Sequence, residues 1–177
     1  MSVHPPVETG VGVETQHDIE QFLYYEARLL DSFEMEEWLD LVDEDIVLKV
    51  PIRSDFGPAS DRPTFSEETY YIRNDYDMLT ERVDKLSKEY AWSENPRSRV
   101  RHLIGNVIAN RVEEGVFDVW NTQFVYRSQG DTAEYKLLVA QRASRLERDG
   151  DGFRILDRTV YLDHSILTTK NITLPLL

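Results

Sequence analysis

Two hydrophobic rhythms divide the chain. In the first half, Ile19, Phe22, Leu23, Ala27 and Leu30 recur at spacings of three and four, which places them on one face of a helix. Asp18 with Gln21 three residues later fits a capping box and sets the expected start of that helix. A second, short helix is predicted from Met35 to Val42, burying Trp38, Leu41 and Val42. The β-branched run Ile46–Ile52 then reads as a first strand. Pro51 inside it, having no backbone N–H, places it at a sheet edge or at the point of leaving the sheet. From Arg53 to Asn74 no period is sustained, and only Thr69–Ile72 reads as a short strand. A connection this long in a compact domain is often a functional or partner-binding loop. Tyr76, Leu79, Val83, Leu86 and Tyr90 then mark a further helix, expected to pack on a sheet rather than on a partner helix.

From Arg97 onward the rhythm becomes alternation. Strands are predicted over Ser98–Val112, Val116–Arg127, Glu134–Glu147 and Phe153–His164, with turns at Glu113-Glu114-Gly115 and Ser128-Gln129-Gly130-Asp131. Asp149-Gly150-Asp151-Gly152 is the clearest hairpin signal in the chain. Trp120, Thr122, Phe124 and Tyr126 share one strand face, where exposed aromatics are expected to form an interface. Strands this long twist and coil, and the concave face of the resulting sheet needs covering by the early helices. The prediction is an α+β roll: a flexible arm over residues 1–16, rich in Pro and Gly, and a single domain over residues 17–177.

Composition removes several function classes. The formal net charge of −13 argues against nucleic acid and against an anionic membrane surface. No apolar run approaches the ~20 residues of a membrane helix, and Met1–Pro6 does not carry the pattern of a secretory signal. A cytoplasmic protein is the expectation. The absence of cysteine excludes disulfides, thiolate metal ligands and a cysteine nucleophile.

One stretch reverses the sign of the charge. Arg97, Arg99 and Arg101 at a spacing of two project from one face of a strand. They are either internal partners of nearby carboxylates or a docking edge for another chain, since Arg and Trp are enriched among interface anchors. His102 follows directly.

The same stretch carries a family resemblance. Ala91-Trp92 ending a helix, an acidic residue and Pro, then Ser98, Arg101-His102-Leu103 and Asn106-Val107 running into a strand resemble the small (beta) subunit of aromatic-ring-hydroxylating dioxygenases. Ile19–Asp31, Phe33–Leu41 with Glu37-Trp38-Leu39, and Arg158–Asp163 followed by Leu167 and Lys170-Asn171-Ile172 extend the likeness to residues 17–177. The resemblance implies a cystatin-like, nuclear-transport-factor-like cone-shaped roll, shared with scytalone dehydratase and ketosteroid isomerase. It implies a non-catalytic assembly subunit, forming a homotrimer that carries three large (alpha) subunits. On that reading Trp92, Arg97, Arg99, Arg101 and His102 are subunit-contact residues, with the large subunit as the expected partner of the arginines.

The chemistry of such an oxygenase is not encoded in this chain. A Rieske cluster needs two Cys and two His, and there is no Cys. A mononuclear iron needs two His and a carboxylate; His102, Asp163 and His164 are the candidates, and neighbours 163 and 164 in a strand point to opposite faces. No cofactor or metal is therefore expected here, and both iron centres are expected in the large subunit. A second reading follows from the fold alone: a stand-alone dehydratase- or isomerase-like enzyme, or a small-ligand-binding protein. There His102 would act as general base and Tyr70, Tyr71 or Tyr126 would polarise a carbonyl.

Overall fold

Four long strands set the shape. A computed structural model describes residues 3–4, 10–54, 63–87 and 96–165. In chain order the elements are α1 (Val13–Ser32), α2 (Met35–Leu39), β1 (Leu48–Arg53), β2 (Phe65–Asn74), α3 (Tyr76–Ser87), β3 (Arg99–Glu113), β4 (Val116–Ser128), β5 (Tyr135–Asp149) and β6 (Gly152–Leu162). They form one six-stranded sheet in the order β2-β1-β6-β5-β4-β3. β3 to β6 are an antiparallel meander, β1 joins β6 in parallel, and β2 closes antiparallel on β1. The curved sheet with helices on its inner face is the predicted α+β cone.

The helix α1 begins at Val13, after Gly12, five residues before the capping box at Asp18. Asp18 lies within the helix, and its carboxylate accepts a bond from Arg148 at 3.1 Å instead of capping. The helix ends where Phe33 adopts φ 61°, with Phe33 N–H donating to Leu30 and Glu34 N–H to Leu29. That is a Schellman motif, normally closed by glycine. A bulky residue at positive φ is unusual, and here its ring is occupied: it packs against Val100, Val125 and Leu138, and the Arg97 guanidinium lies 4.8 Å above it.

Helix α2 stops at Leu39, short of the predicted Val42. Trp38 and Val42 are buried as expected, whereas Leu41 is half-buried. Asp75 caps α3, accepting from Met78 N–H at 2.9 Å. Leu79 and Val83 of α3 are buried towards α2 and β2, while the predicted Tyr90 lies outside the described residues.

β1 is not an edge strand, but Pro51 does lie where it leaves a neighbour. β6 pairs only with Leu48 and Lys49, and the β1–β2 register shifts on either side of Pro51. β2 runs from Phe65 to Asn74, longer than the predicted Thr69–Ile72, because its pairing with β1 supplies order that periodicity alone does not show. The hairpin at Asp149–Gly152 forms as predicted, with Gly150 at φ 57°. In β3 a bulge at Asn106-Val107, with Asn106 at φ 52°, shifts the register against β4 and adds twist.

Candidate functional site

The start of β3 gathers most of the predicted contact residues. Burial alternates through Arg97, Ser98, Arg99, Val100, Arg101 and His102, so the three arginines are exposed and the residues between them are buried. Arg97 is occupied with the Phe33 ring. Arg99 donates to Ser128 Oγ at 3.1 Å and to the Gly130 carbonyl at 2.6 Å. Arg101, with a side chain 76% exposed, donates to Asp31 at 3.2 Å. The bland expectation of internal ion pairs thus holds for Arg101 in part, since most of its side chain remains in water. Trp92 lies outside the described residues.

Asp31, the penultimate residue of α1, is the hub of this edge. Its Oδ1 accepts from His102 N–H at 2.9 Å and lies 2.7 Å from His102 Nδ1. A carboxylate is an acceptor, so the imidazole donates through Nδ1. Nε2 is buried without a hydrogen-bond partner. With its side chain 1% exposed, His102 is a pin between helix and sheet.

The outer face of the same strands is apolar. Leu103, Phe124, Tyr126, Tyr135 and Leu137 are all exposed there, and Tyr126 stacks on Tyr135 at 5.5 Å. Trp120 corrects the expectation of an aromatic stripe. It shares the face of Phe124 but is only 4% exposed, because Val3, Phe65 and Tyr161 cover it.

Inside the cone the sequence pattern missed the main feature. Glu26 of α1 accepts from Trp38 Nε1 at 3.2 Å, from Arg142 Nη2 at 3.2 Å, and from both terminal nitrogens of Arg158. Arg158 also donates to Ser144 Oγ and Arg142 to Asn121 Oδ1, so the guanidiniums are held from both sides. All three charged side chains are at most 1% exposed. Burial alone would raise the Glu26 carboxyl; the charges of Arg158 and then Arg142, with hydrogen bonds from Arg158 and Trp38, outweigh it and bring the group from 4.5 down to about 2. Burial, and Arg158 alongside, pull Arg142 down to about 10, so it stays a cation at neutral pH. Glu26 was legible as a lone charge inside the apolar set 19, 22, 23, 27, 30; Arg142 and Arg158 gave no such signal.

The alternative pocket residues do not converge. Tyr70 donates to the Glu67 carbonyl at 2.6 Å and lines a hollow of about 780 Å³ on the outer face, with Lys49, Arg53, Phe65 and Tyr161. Tyr71 donates to the Ser165 carbonyl at 3.2 Å. Tyr126 is on the outer face and His102 on the inner one. Among these described residues, no pairing of a general base with a carbonyl-polarising tyrosine is assembled. Nor do the residues fit the iron centres of an oxygenase: the chain has no Cys, and among the described residues no three His, Asp or Glu side chains gather as ligands.

An ion network lies buried between the helices and the sheet, and large apolar side chains are exposed on the opposite face. The family described as ring hydroxylating beta subunit matches residues 25–169. The beta subunit of benzene 1,2-dioxygenase from Pseudomonas putida is 35% identical over 168 residues, covering 92% of this chain and 89% of that protein. The beta subunit of biphenyl 2,3-dioxygenase from Rhodococcus jostii is 33% identical, covering 89% and 87%. A solved chain of naphthalene 1,2-dioxygenase with indole bound in its active site superposes with a TM-score of 0.84 at 21% identity, covering 94% of this chain and 88% of that one. The chain belongs to the ring-hydroxylating dioxygenase beta subunit family. It is an assembly subunit of an oxidoreductase system whose catalysis lies in the alpha subunit.

Proposed function

We propose that this chain forms a homotrimeric base in the cytoplasm and carries three large subunits, which hold the Rieske cluster and the mononuclear iron of an oxygenase that degrades aromatic compounds. The observation that carries this reading is the contrast between a buried, fully paired ion network under the helices and large apolar side chains exposed on the outer face. Glu26, Arg142, Arg158 and Trp38 fill the cone where a related fold could hold a substrate, while large apolar side chains stand in solvent outside. The subunit's task is then geometric. Glu26 fastens α1 to β5, β6 and α2, and five residues on Asp31 fastens the same helix to β3. The arginine-bearing edge is thereby presented to partner chains on a rigid support.

The test is expression of the chain alone and together with a large subunit carrying Cys-x-His and Cys-x-x-His ligand pairs. Alone, the chain is expected as a colourless trimer without stoichiometric iron. Together, a hexamer is expected whose iron and visible absorbance belong to the large subunit. Near-stoichiometric iron in the isolated chain, lost on His164→Ala, would overturn the reading.

A further inference from the structure

The corner formed by β3, β4 and β5 departs furthest from an ordinary monomer surface. Strand register sets Leu103, Phe124 and Val139 in one row, Arg101, Tyr126 and Leu137 in the next, and Arg99, Ser128 and Tyr135 in a third. Leu103 is 69% exposed and Tyr135 61%, and Phe124, Tyr126 and Leu137 lie between 40% and 47%. No position in these rows is acidic, in a chain with 33 acidic and 20 basic residues. Asp31, the carboxylate paired with Arg101, is itself buried, with a side chain 6% exposed.

The complementary surface lies on the helical side of the same chain. Between α2 and α3 runs a groove of about 320 Å³ with Phe33, Met35, Val83 and Leu86 as its apolar lining and Glu34, Glu36 and Glu37 beside them. Arg97 is the one cation in the lining, and it is laid over the Phe33 ring. Glu34, Glu36 and Glu37 are exposed, and no basic residue occurs from Glu34 to Asp45.

We infer that the arginine-bordered apolar corner of one copy docks on the acid-rimmed groove between α2 and α3 of a second copy. Three observations lead there. Two copies at −13 each repel least where acids are sparse; the three rows of the corner carry none, and Asp131 and Glu134 lie in the turn beyond them. The corner offers leucine and tyrosine with flanking arginine, while the groove offers the half-buried Phe33 and Leu86 over buried Met35 and Val83, with flanking glutamate, so apolar contact and charge are complementary. The two patches differ, so the contact is heterologous, the kind that builds a ring when its rotation closes and a filament when it does not. The inference rests on the trimeric-base reading above and names the contact that builds the ring.

The test uses the full chain, with mass measured by light scattering and sedimentation across micromolar concentrations, and thermal midpoint measured alongside. Arg99→Glu and Glu37→Arg are each expected to weaken self-association at least tenfold while the chain stays folded, any fall in midpoint growing with dilution as loss of a trimer requires. The double variant Arg99→Glu/Glu37→Arg, which restores opposite charges at every interface, is expected to recover the trimer. Leu137→Asp is a second probe of the corner, expected to give monomer. Variants that all stay trimeric but no longer bind the large subunit would overturn the inference and assign the corner to that partner, leaving the trimeric base standing. Loss of the trimer in Arg99→Glu without rescue by Glu37→Arg would overturn the choice of groove. A wild-type chain that is monomeric throughout would remove the trimeric base itself, an outcome separate from either.

Discussion

On the inner face of β5 and β6, Arg142 and Arg158 are at most 1% exposed; on the outer face of β3 to β5, Leu103 and Tyr135 are more than half exposed. Ordinary burial would reverse these assignments. The inner region tolerates charge because every charged group there has a counter-charge and further polar partners, which offsets the cost of leaving water. The outer region tolerates exposed apolar area when another chain covers it in the assembly. On the reading proposed above, the same sheet uses its inner face to fix one conformation and its outer face to meet neighbours.

The largest effect that would break this contrast is removal of the buried acceptor. Glu26→Gln leaves two guanidiniums in the core with no anion between them, and about 3–5 kcal/mol of unfolding free energy should be lost, as read by urea unfolding. Replacing all three together, Glu26→Leu with Arg142→Met and Arg158→Met, should cost far less or nothing, since the penalty belongs to the unpaired charge. A triple variant no more stable than Glu26→Gln would show that packing, not pairing, holds the site.

Next comes acid. The Glu26 carboxyl sits at about 2 in the folded chain against an ordinary 4.5. Its folded value is depressed, so its contribution is complete above about pH 4.5 and is lost as pH falls towards 2. The sum is about 3 kcal/mol by linkage. The unfolding free energy of the wild type should therefore fall between pH 5 and 2 by more than that of Glu26→Gln; parallel curves would refute the assignment.

Asp31→Asn should cost about 1–3 kcal/mol, because it weakens three contacts, those with Arg101, His102 N–H and His102 Nδ1. Hydrogen exchange should rise at the start of β3 before it rises elsewhere. Smallest in stability is the outer face. Leu103→Ser should move monomer stability by no more than about 0.5 kcal/mol, yet weaken association tenfold, about 1.4 kcal/mol. A large loss of monomer stability there would place Leu103 in the core economy rather than at an interface.

Much of this arrangement was legible in the sequence. Alternation gave β3 to β6 nearly to their ends, and Asp149-Gly150-Asp151-Gly152 gave their tightest turn because only a few residues accept φ near 57°. Alternation reports which face a side chain takes but not what covers that face. Phe124 and Trp120 share a face, and only Trp120 is roofed by Val3 and Phe65. The capping box at Asp18 was a local pattern overruled by a partner 130 residues away. Arg142 and Arg158 escaped notice because an arginine in a long strand is ordinarily a solvated one. The bulge at Leu156 further hides which face Arg158 takes.

The network inside the cone also has a history within the life of each chain. Glu26 meets Arg142 and Arg158 across 116 and 132 residues, and β1 waits for β6 before its inner edge is paired. As the chain leaves the ribosome, α1 can form early from local contacts, but its carboxylate gains its first guanidinium only with β5 and its second only with the last strand. Closing such distant contacts is slow. Docking of α1 in its final place is therefore a late event, and a chain halted between Arg142 and Arg158 would hold Glu26 by one guanidinium instead of two.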